Sequence, residues 1–281
     1  MVKRILFPID GGADSVAAAD QVIVIARAHG AFVTAMAVVD RPGIERALRP
    51  MGIGVSHLAH DAREWLLREN EREAEGALGR FAERLTAARV DNVQVEEFAG
   101  PVDAIVAESR FFDLVVMGER ALSEDQPEDE SAVLRDVVRR SVTPVLAVPA
   151  ASAGRPVRHV LVCFDGSAQA TRALQAWARL SPFGTTPATT VLAVAESDEA
   201  VAAAQLAVDR AAGYLQAWGH APFVKHDVGR PKVVIPEFVA ANGVDVIVMG
   251  AYGSGGLRDV FFGSLTTHLV RATDVMLFLA H

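Results

Sequence analysis

Short apolar runs recur along the chain, and longer stretches with apolar residues every three or four positions separate them. In the first half the runs predict strands near 3–9, 31–39, 92–98, 113–117 and 144–148, with helices near 13–29, 59–88, 101–110 and 132–140. In the second half strands are expected near 158–164, 189–195, 222–227, 245–249 and 275–279, with helices near 168–180, 198–218, 231–242 and 264–272. Strand–helix alternation with short, apolar strands implies an α/β chain whose mainly parallel sheet is covered by helices on both faces. In such sheets ligands bind beyond the carboxyl ends of the strands, where the strand order reverses.

The pattern is duplicated. Arg4-Ile-Leu-Phe-Pro-Ile-Asp10-Gly11 matches His159-Val-Leu-Val-Cys-Phe-Asp165-Gly166, and Asp113-Leu-Val-Val-Met-Gly118 matches Asp245-Val-Ile-Val-Met-Gly250. Two similar domains are expected, 1–150 and 157–281, joined by the small, proline-bounded stretch Pro149 to Pro156. If the first and fourth strands of a half are neighbours, the loops after them line one crevice. The last strands of the halves, 144–148 and 275–279, are candidate edges for pairing the two domains as an internal pseudo-dimer. The main asymmetry is the long charged helix of the first half, with an apolar stripe of Leu58, Trp65, Leu66, Ala74, Leu78, Phe81 and Leu85. The segment before it, 41–57, holds three glycines and two prolines and reads as a mobile loop.

The strongest chemical signal follows the apolar run Val246-Ile-Val-Met249. There Gly250-Ala-Tyr-Gly253 is followed by nine residues and then by Gly263-Ser264, where a helix begins. Glycines let backbone N–H groups approach an anion, and a helix start adds unpaired donors and positive dipole charge. The loop reads as a phosphate cradle. It lacks the Gly-Lys-Ser/Thr ending of a Walker A loop and differs from the short GxGxxG turn. A glycine-rich surface turn is the plainer alternative.

Composition narrows the setting. The net charge of −8 disfavours non-specific nucleic-acid binding, which needs clustered Lys and Arg. No run reaches transmembrane length, since 22–39 is broken by Arg27, His29 and Gly30. No secretory signal is visible after Met1, and the lone Cys163 sits in an apolar run, so a reducing cytoplasmic setting is expected. Nothing near Cys163 would depress its pKa, so it is not read as a nucleophile. His57, His60 and Asp61 have zinc-like spacing but no evident further ligand, and no metal site is assigned.

The tandem halves, the Asp-Gly after strand one and the Gly250-x-x-Gly253-x9-Gly263-Ser264 loop together resemble the universal stress protein family, over nearly the whole chain. The resemblance implies two Rossmann-like domains of five strands each and, in the second, the ATP-binding type of site. It implies that Asp165 contacts the adenosine and that Val194 offers backbone groups to the adenine edge. Met249 and Gly250 would lie along the ribose and first phosphate, and Gly253, Gly263, Ser264, Leu265 and Thr266 would hold the phosphates. ATP, with Mg as an accompanying ion, is the implied ligand. Other roles stay open: Asp165 as a turn former before Gly166, Arg258 and Tyr252 as ligand contacts or surface and packing residues, and His268 as packed or facing the phosphates.

The first half departs from this pattern. At the same spacing it has Gly118-Glu-Arg-Ala121, nine residues, then Ser131-Ala132, and the intervening loop carries five carboxylates between Ser123 and Glu130. Each charge near a phosphate costs about 1 kcal/mol in a solvated setting, so this half should not bind ATP by this route. The expected function is a cytoplasmic stress-response module that binds ATP in its C-terminal domain and reports occupancy to a partner. With no general base apparent beside the loop, hydrolysis should be slow at most, and the chain is not read as an enzyme. Two competing readings remain. Asp10-Gly-Gly-Ala-Asp-Ser15 looks like the pyrophosphate loop of ATP-dependent adenylating enzymes, although Asp10 would face the pyrophosphate. A scaffold that binds no nucleotide is the other. A further homodimer is compatible with the sequence.

Overall fold

Residues 1–48, 56–120, 132–251 and 264–281 are described by the computed structural model of the chain. The first half runs β1 (Arg4–Ile9), α1 (Ala13–His29), β2 (Phe32–Val38), α2 (Arg41–Leu48), α3 (Ser56–Ala87), β3 (Asn92–Glu97), α4 (Pro101–Ser109), β4 (Leu114–Gly118), α5 (Ala132–Arg140) and β5 (Val145–Val148). The second half repeats the plan with β6 (His159–Cys163), α6 (Ala168–Leu180), β7 (Ala188–Ala195), α7 (Val201–Ala217), β8 (Phe223–Val228), α8 (Pro231–Asn242), β9 (Val246–Gly250), α9 (Ser264–Ala272) and β10 (Met276–Ala280).

The strands form one ten-stranded sheet in the order β3-β2-β1-β4-β5-β10-β9-β6-β7-β8. Each half contributes five parallel strands in the same internal order. The halves meet where β5 pairs antiparallel with β10, Leu146 opposite Phe278. The sheet explains why the runs of its interior strands are mostly apolar, unlike the edge strands β3 and β8. Alternate residues go to opposite faces, and both faces are covered. Ile5, Phe7 and Ile9 point into the layer under α1 and α3, while Leu6 points into the layer under α4 and α5. In the second half Val160 and Val162 face α6 and α7, and Leu161 faces α8 and α9. Edge-on aromatic pairs, Phe7 with Phe81 and Trp177 with Phe278, tie helices to the first layer.

The repeated aspartates before β4 and β9 have a structural role. Asp113 accepts the N–H groups of Lys3 and Arg4, and Asp245 accepts those of Arg158 and His159. Each one ties the start of the fourth strand of its half to the start of the first.

Three local expectations change. Residues 41–48 are helical rather than loop, because Asp40 caps the helix by accepting the Gly43 N–H at 2.9 Å and Pro42 sits in the first turn, where its missing N–H is harmless. Trp65 is not on the packed stripe. It is 63% exposed, whereas Leu78, Phe81 and Leu85 are buried against the sheet. The junction is not a free tether: Ala150–Ser152 forms a 3-10 turn held along α1. There Gln21 donates to the carbonyls of Ser152 and Arg155, and Asp20 accepts the Gly154 N–H.

Candidate functional site

In each half the first strand lies between the second and the fourth, so β6 is flanked by β7 on one side and β9 on the other. The strand order reverses at β6, and the loops after β6 and β9 open from adjacent strand ends. This brings together Asp165, the second residue after β6, and Met249 and Gly250 at the end of β9. Val194 lies near the end of β7, one strand further out, and pairs with Asp227. Leu265 and Thr266 occupy the first turn of α9, whose first N–H groups have no partner within the helix. Six of the nine expected residues are thus placed at one end of the second half's sheet or at the helix start that follows it. Ser264 opens α9 in its backbone. Gly253 and Gly263 lie outside the described residues, as do Tyr252 and Arg258.

The local chemistry gives several of these residues roles of their own. Asp165 accepts the Ser167 N–H at 2.9 Å, closing a tight turn in which Gly166 takes a φ of +78°. Ser167 then caps α6 by accepting the Ala170 N–H at 3.1 Å. Asp165 itself is exposed at the mouth of the crevice. Gly250 is a packing glycine: a Cβ there would stand 2.4 Å from the Ala170 backbone nitrogen and the Gln169 carbonyl carbon. The absence of a side chain lets the start of α6 lie directly on the end of β9. Thr266 is buried at 1% exposure, so what it can offer a ligand is its backbone N–H, as expected for a helix start. Burial, and then the charge of Asp165, pushes the Cys163 thiol up to about 12, which keeps it protonated and unreactive at neutral pH.

The equivalent crevice of the first half is built differently. Asp14, the second residue of α1 and buried, stands where the second half has Gln169. Its carboxylate accepts the backbone N–H groups of Arg120 and Ala150, both at 2.9 Å, and the Arg120 guanidinium at 3.2 Å. The donors beyond the ends of β4 and β5 are therefore met by an internal anion. Asp10 accepts the Gly12 N–H at 2.9 Å and the Ser15 hydroxyl at 2.5 Å, so both carboxylates of the Asp10-to-Ser15 loop are engaged inside the fold. Glu119 lies beside them at 3% exposure. Burial, and next the Asp14 charge, pushes its carboxyl up to about 8. The corresponding residue of the second half is the buried Ala251. Sequence reading missed Asp14 and Glu119. Their signal was a carboxylate in each half-motif at positions where the repeat has Gln169 and Ala251.

Among the described residues no group of three or more His, Cys, Asp or Glu side chains is placed to hold a metal ion. His60 lies 3.3 Å from Glu64 on the next turn of α3. No helix among the described residues is long and apolar enough to cross a membrane.

Comparison with known proteins agrees with this architecture. The family model described as the universal stress protein family matches twice, over residues 1–149 and 156–281. A universal stress protein of Synechocystis sp. is 26% identical over 208 residues, covering 73% of this chain and 71% of that protein. Among solved structures, a universal stress protein from Archaeoglobus fulgidus superposes with a TM-score of 0.72 at 20% identity, covering 99% of this chain and 97% of its own. A functionally unknown protein from Pseudomonas aeruginosa PAO1 superposes with a TM-score of 0.62 at 12% identity, over 99% and 92% of the two chains. The duplicated match, the repeated strand order and the whole-chain superposition agree: this chain is a tandem-domain member of the universal stress protein family.

Proposed function

We propose that the chain is a stress-response module that binds one ATP, in the crevice between the ends of β6 and β9, and works as a nucleotide-dependent sensor rather than as an enzyme. The observation that carries this reading is the contrast between its two crevices. In the second half Asp165, Gly250 and the first turn of α9 converge on one strand end, and the intervening sequence holds the glycines suited to phosphate. In the first half the backbone donors are already taken by the Asp14 carboxylate. An anionic ligand there would have to displace the bonds of the buried Asp14 carboxylate to Arg120 and Ala150 and lie beside Glu119.

In this reading Asp165 and the Val194 backbone contact the adenosine, and Met249 and Gly250 border the ribose and first phosphate. Gly253, Gly263, Ser264 and the N–H groups of Leu265 and Thr266 hold the phosphates, with Mg as the accompanying ion. The units are 1–150, with a closed crevice, and 157–281, with the competent one, and the β5–β10 seam joins them as an internal pseudo-dimer. A cytoplasmic location fits the single, unpaired Cys163. The adenylating reading is disfavoured because the residues of its loop, Asp10, Asp14 and Ser15, are tied into internal hydrogen bonds.

The experiment is the nucleotide content of the protein as purified, released by denaturation and separated by chromatography, for wild type and Gly263→Ala. A Cβ at that position would crowd a phosphate held by the neighbouring N–H groups. We expect adenine nucleotide with the wild type and a loss of about tenfold or more with the variant, for one to two lost phosphate hydrogen bonds. Equal nucleotide content in both proteins would refute the assignment of the loop.

A further inference from the structure

The ten-stranded sheet ends at two edges, β3 and β8. β8 is the barer of the two. Phe223 is 69% exposed, and Val224 and Val228 are each nearly half exposed. Trp218, in the turn leading into the strand, and Leu206 on α7 add exposed apolar surface to the same half. An edge of this kind is a template for another strand unless it is blocked by charge, proline or a covering element.

The outward-facing backbone groups of β8 can be identified. The Gly229 N–H turns inward to the Ala195 carbonyl of β7, so by strand alternation Phe223, Lys225 and Asp227 also bond inward. Val224, His226 and Val228 therefore direct their N–H and C=O groups away from the sheet. The Val228 N–H agrees with this, since its bond is to the carboxylate of its neighbour Asp227, at 3.0 Å, rather than to β7.

The side chains then select one way for two such edges to meet. In an antiparallel pair the outward residues must face one another. That permits registers centred on Lys225, His226 or Asp227, with correspondingly fewer bonds for larger offsets. Centring on Lys225 sets lysine against lysine, and centring on Asp227 sets aspartate against aspartate. Centring on His226 opposes Val224 to Val228 and Lys225 to Asp227, on both sides of the axis. The segment Val224-Lys-His-Asp-Val228 is thus self-complementary in charge and apolarity when read antiparallel. Lys225 and Asp227 already share one face of the sheet, 3.4 Å apart, with Lys225 over the Phe238 ring of α8. The other edge has no such match. Its outward residues are Asn92, Gln94 and Glu96, because the Asp91 and Glu97 carbonyls bond inward to β2, and its far end carries Glu96 and Glu97 together.

We propose that β8 is the docking edge for a second copy of this chain, paired antiparallel about a two-fold axis through His226. Two sheets would then join into one, as β5 and β10 already join the halves within the chain. The axis makes the contact isologous and closed, so the assembly stops at a dimer on this edge. The Asp227 carboxylate exchanges the Val228 N–H for Lys225 of the other copy, and the Val228 N–H takes the Val224 carbonyl opposite. This inference does not depend on nucleotide binding.

The test is sedimentation velocity over a concentration series with the full chain, using Lys225→Asp, Asp227→Lys, the doubly exchanged variant and His226→Pro. Each side chain is exposed or partly so at a sheet edge, and circular dichroism would check that each variant is folded. Each single exchange turns both cross-axis pairs repulsive and should weaken self-association by about tenfold or more. The double exchange restores the pairs in mirror order and should recover association to within about threefold of wild type. His226→Pro removes the central donors and should give a monomer. A wild type that stays monomeric overturns the proposal. So does a dimer indifferent to these substitutions, which would be held by another surface, or a folded double exchange that fails to recover.

Discussion

Gly250 shows how one residue can carry two meanings. In the sequence it looked like the first glycine of a phosphate loop. In the structure its lack of a Cβ is already required by the start of α6, 2.4 Å from where that carbon would stand. Gly118 meets the same constraint, with the Asp14 Cβ at 2.8 Å, although its half lacks the other glycines. The conserved spacing within the repeat at this glycine is therefore a packing signal as well. Asp165 was legible both as a turn former and as a site residue, and its bond to the Ser167 N–H establishes the first role. Asp14 and Glu119 were visible only as carboxylates where the repeat has Gln169 and Ala251; their effect depends on burial between elements far apart in sequence. Glu119 yields a pH prediction. Its carboxyl is raised to about 8 in the folded chain, mainly by burial, while the unfolded chain ionises it near 4.5. The folded form thus binds the extra proton between these values. The group's stabilising protonated state is fully present below the unfolded value, is lost as pH rises toward 8, and stays lost above it. Glu119→Gln should match the wild type in thermal stability below pH 4.5 and exceed it above pH 8, by at most about 5 kcal/mol.

At the scale of elements, the strands and most helices were readable because nearly every one is buried on the side its pattern predicts. α2 was hidden by a glycine and a proline that normally signal a loop. Pro42 falls within the first turn, where proline is tolerated, and Asp40 supplies the cap. The long α3 was predicted as a helix, but its apolar stripe overstated the packing. The half from Ala74 onward lies on the sheet, and the half around Trp65 carries its aromatic ring into solvent among paired arginines and glutamates. This difference can be measured by denaturant unfolding. Phe81→Ala, which removes a ring packed edge-on to Phe7, should cost about 3–5 kcal/mol. Trp65→Ala should change stability by no more than about 0.5 kcal/mol. Equal losses at the two positions would mean that the overhanging half of α3 is packed after all.

For the whole molecule, duplication explains both the symmetry of the sheet and the asymmetry of its sites. The repeat aspartates Asp113 and Asp245 anchor the same strand starts, and the strand order is the same in the two halves. The seam between β5 and β10 closes the edge that each half would otherwise expose. Besides the long α3 and the short α2 before it, the halves differ at the carboxyl ends of their strands. The first half engages backbone donors beyond β4 and β5 with its own Asp14 carboxylate, and the second leaves Asp165 exposed. The family and the two-part layout were visible in the sequence from repeated motifs. That the first half should not take ATP was expected from the acidic stretch at 123–130, which lies outside the described residues. A separate argument for the same expectation is Asp14, whose bonds to the Arg120 and Ala150 N–H groups no spacing could reveal. The central claim is that only one of the two halves takes a nucleotide. Isothermal titration of the nucleotide-stripped full chain with Mg-ATP tests it most directly. The account predicts one site per chain, lost in Gly263→Ala and unchanged when the acidic loop is neutralised. Two sites per chain, or none at millimolar ATP, would contradict it.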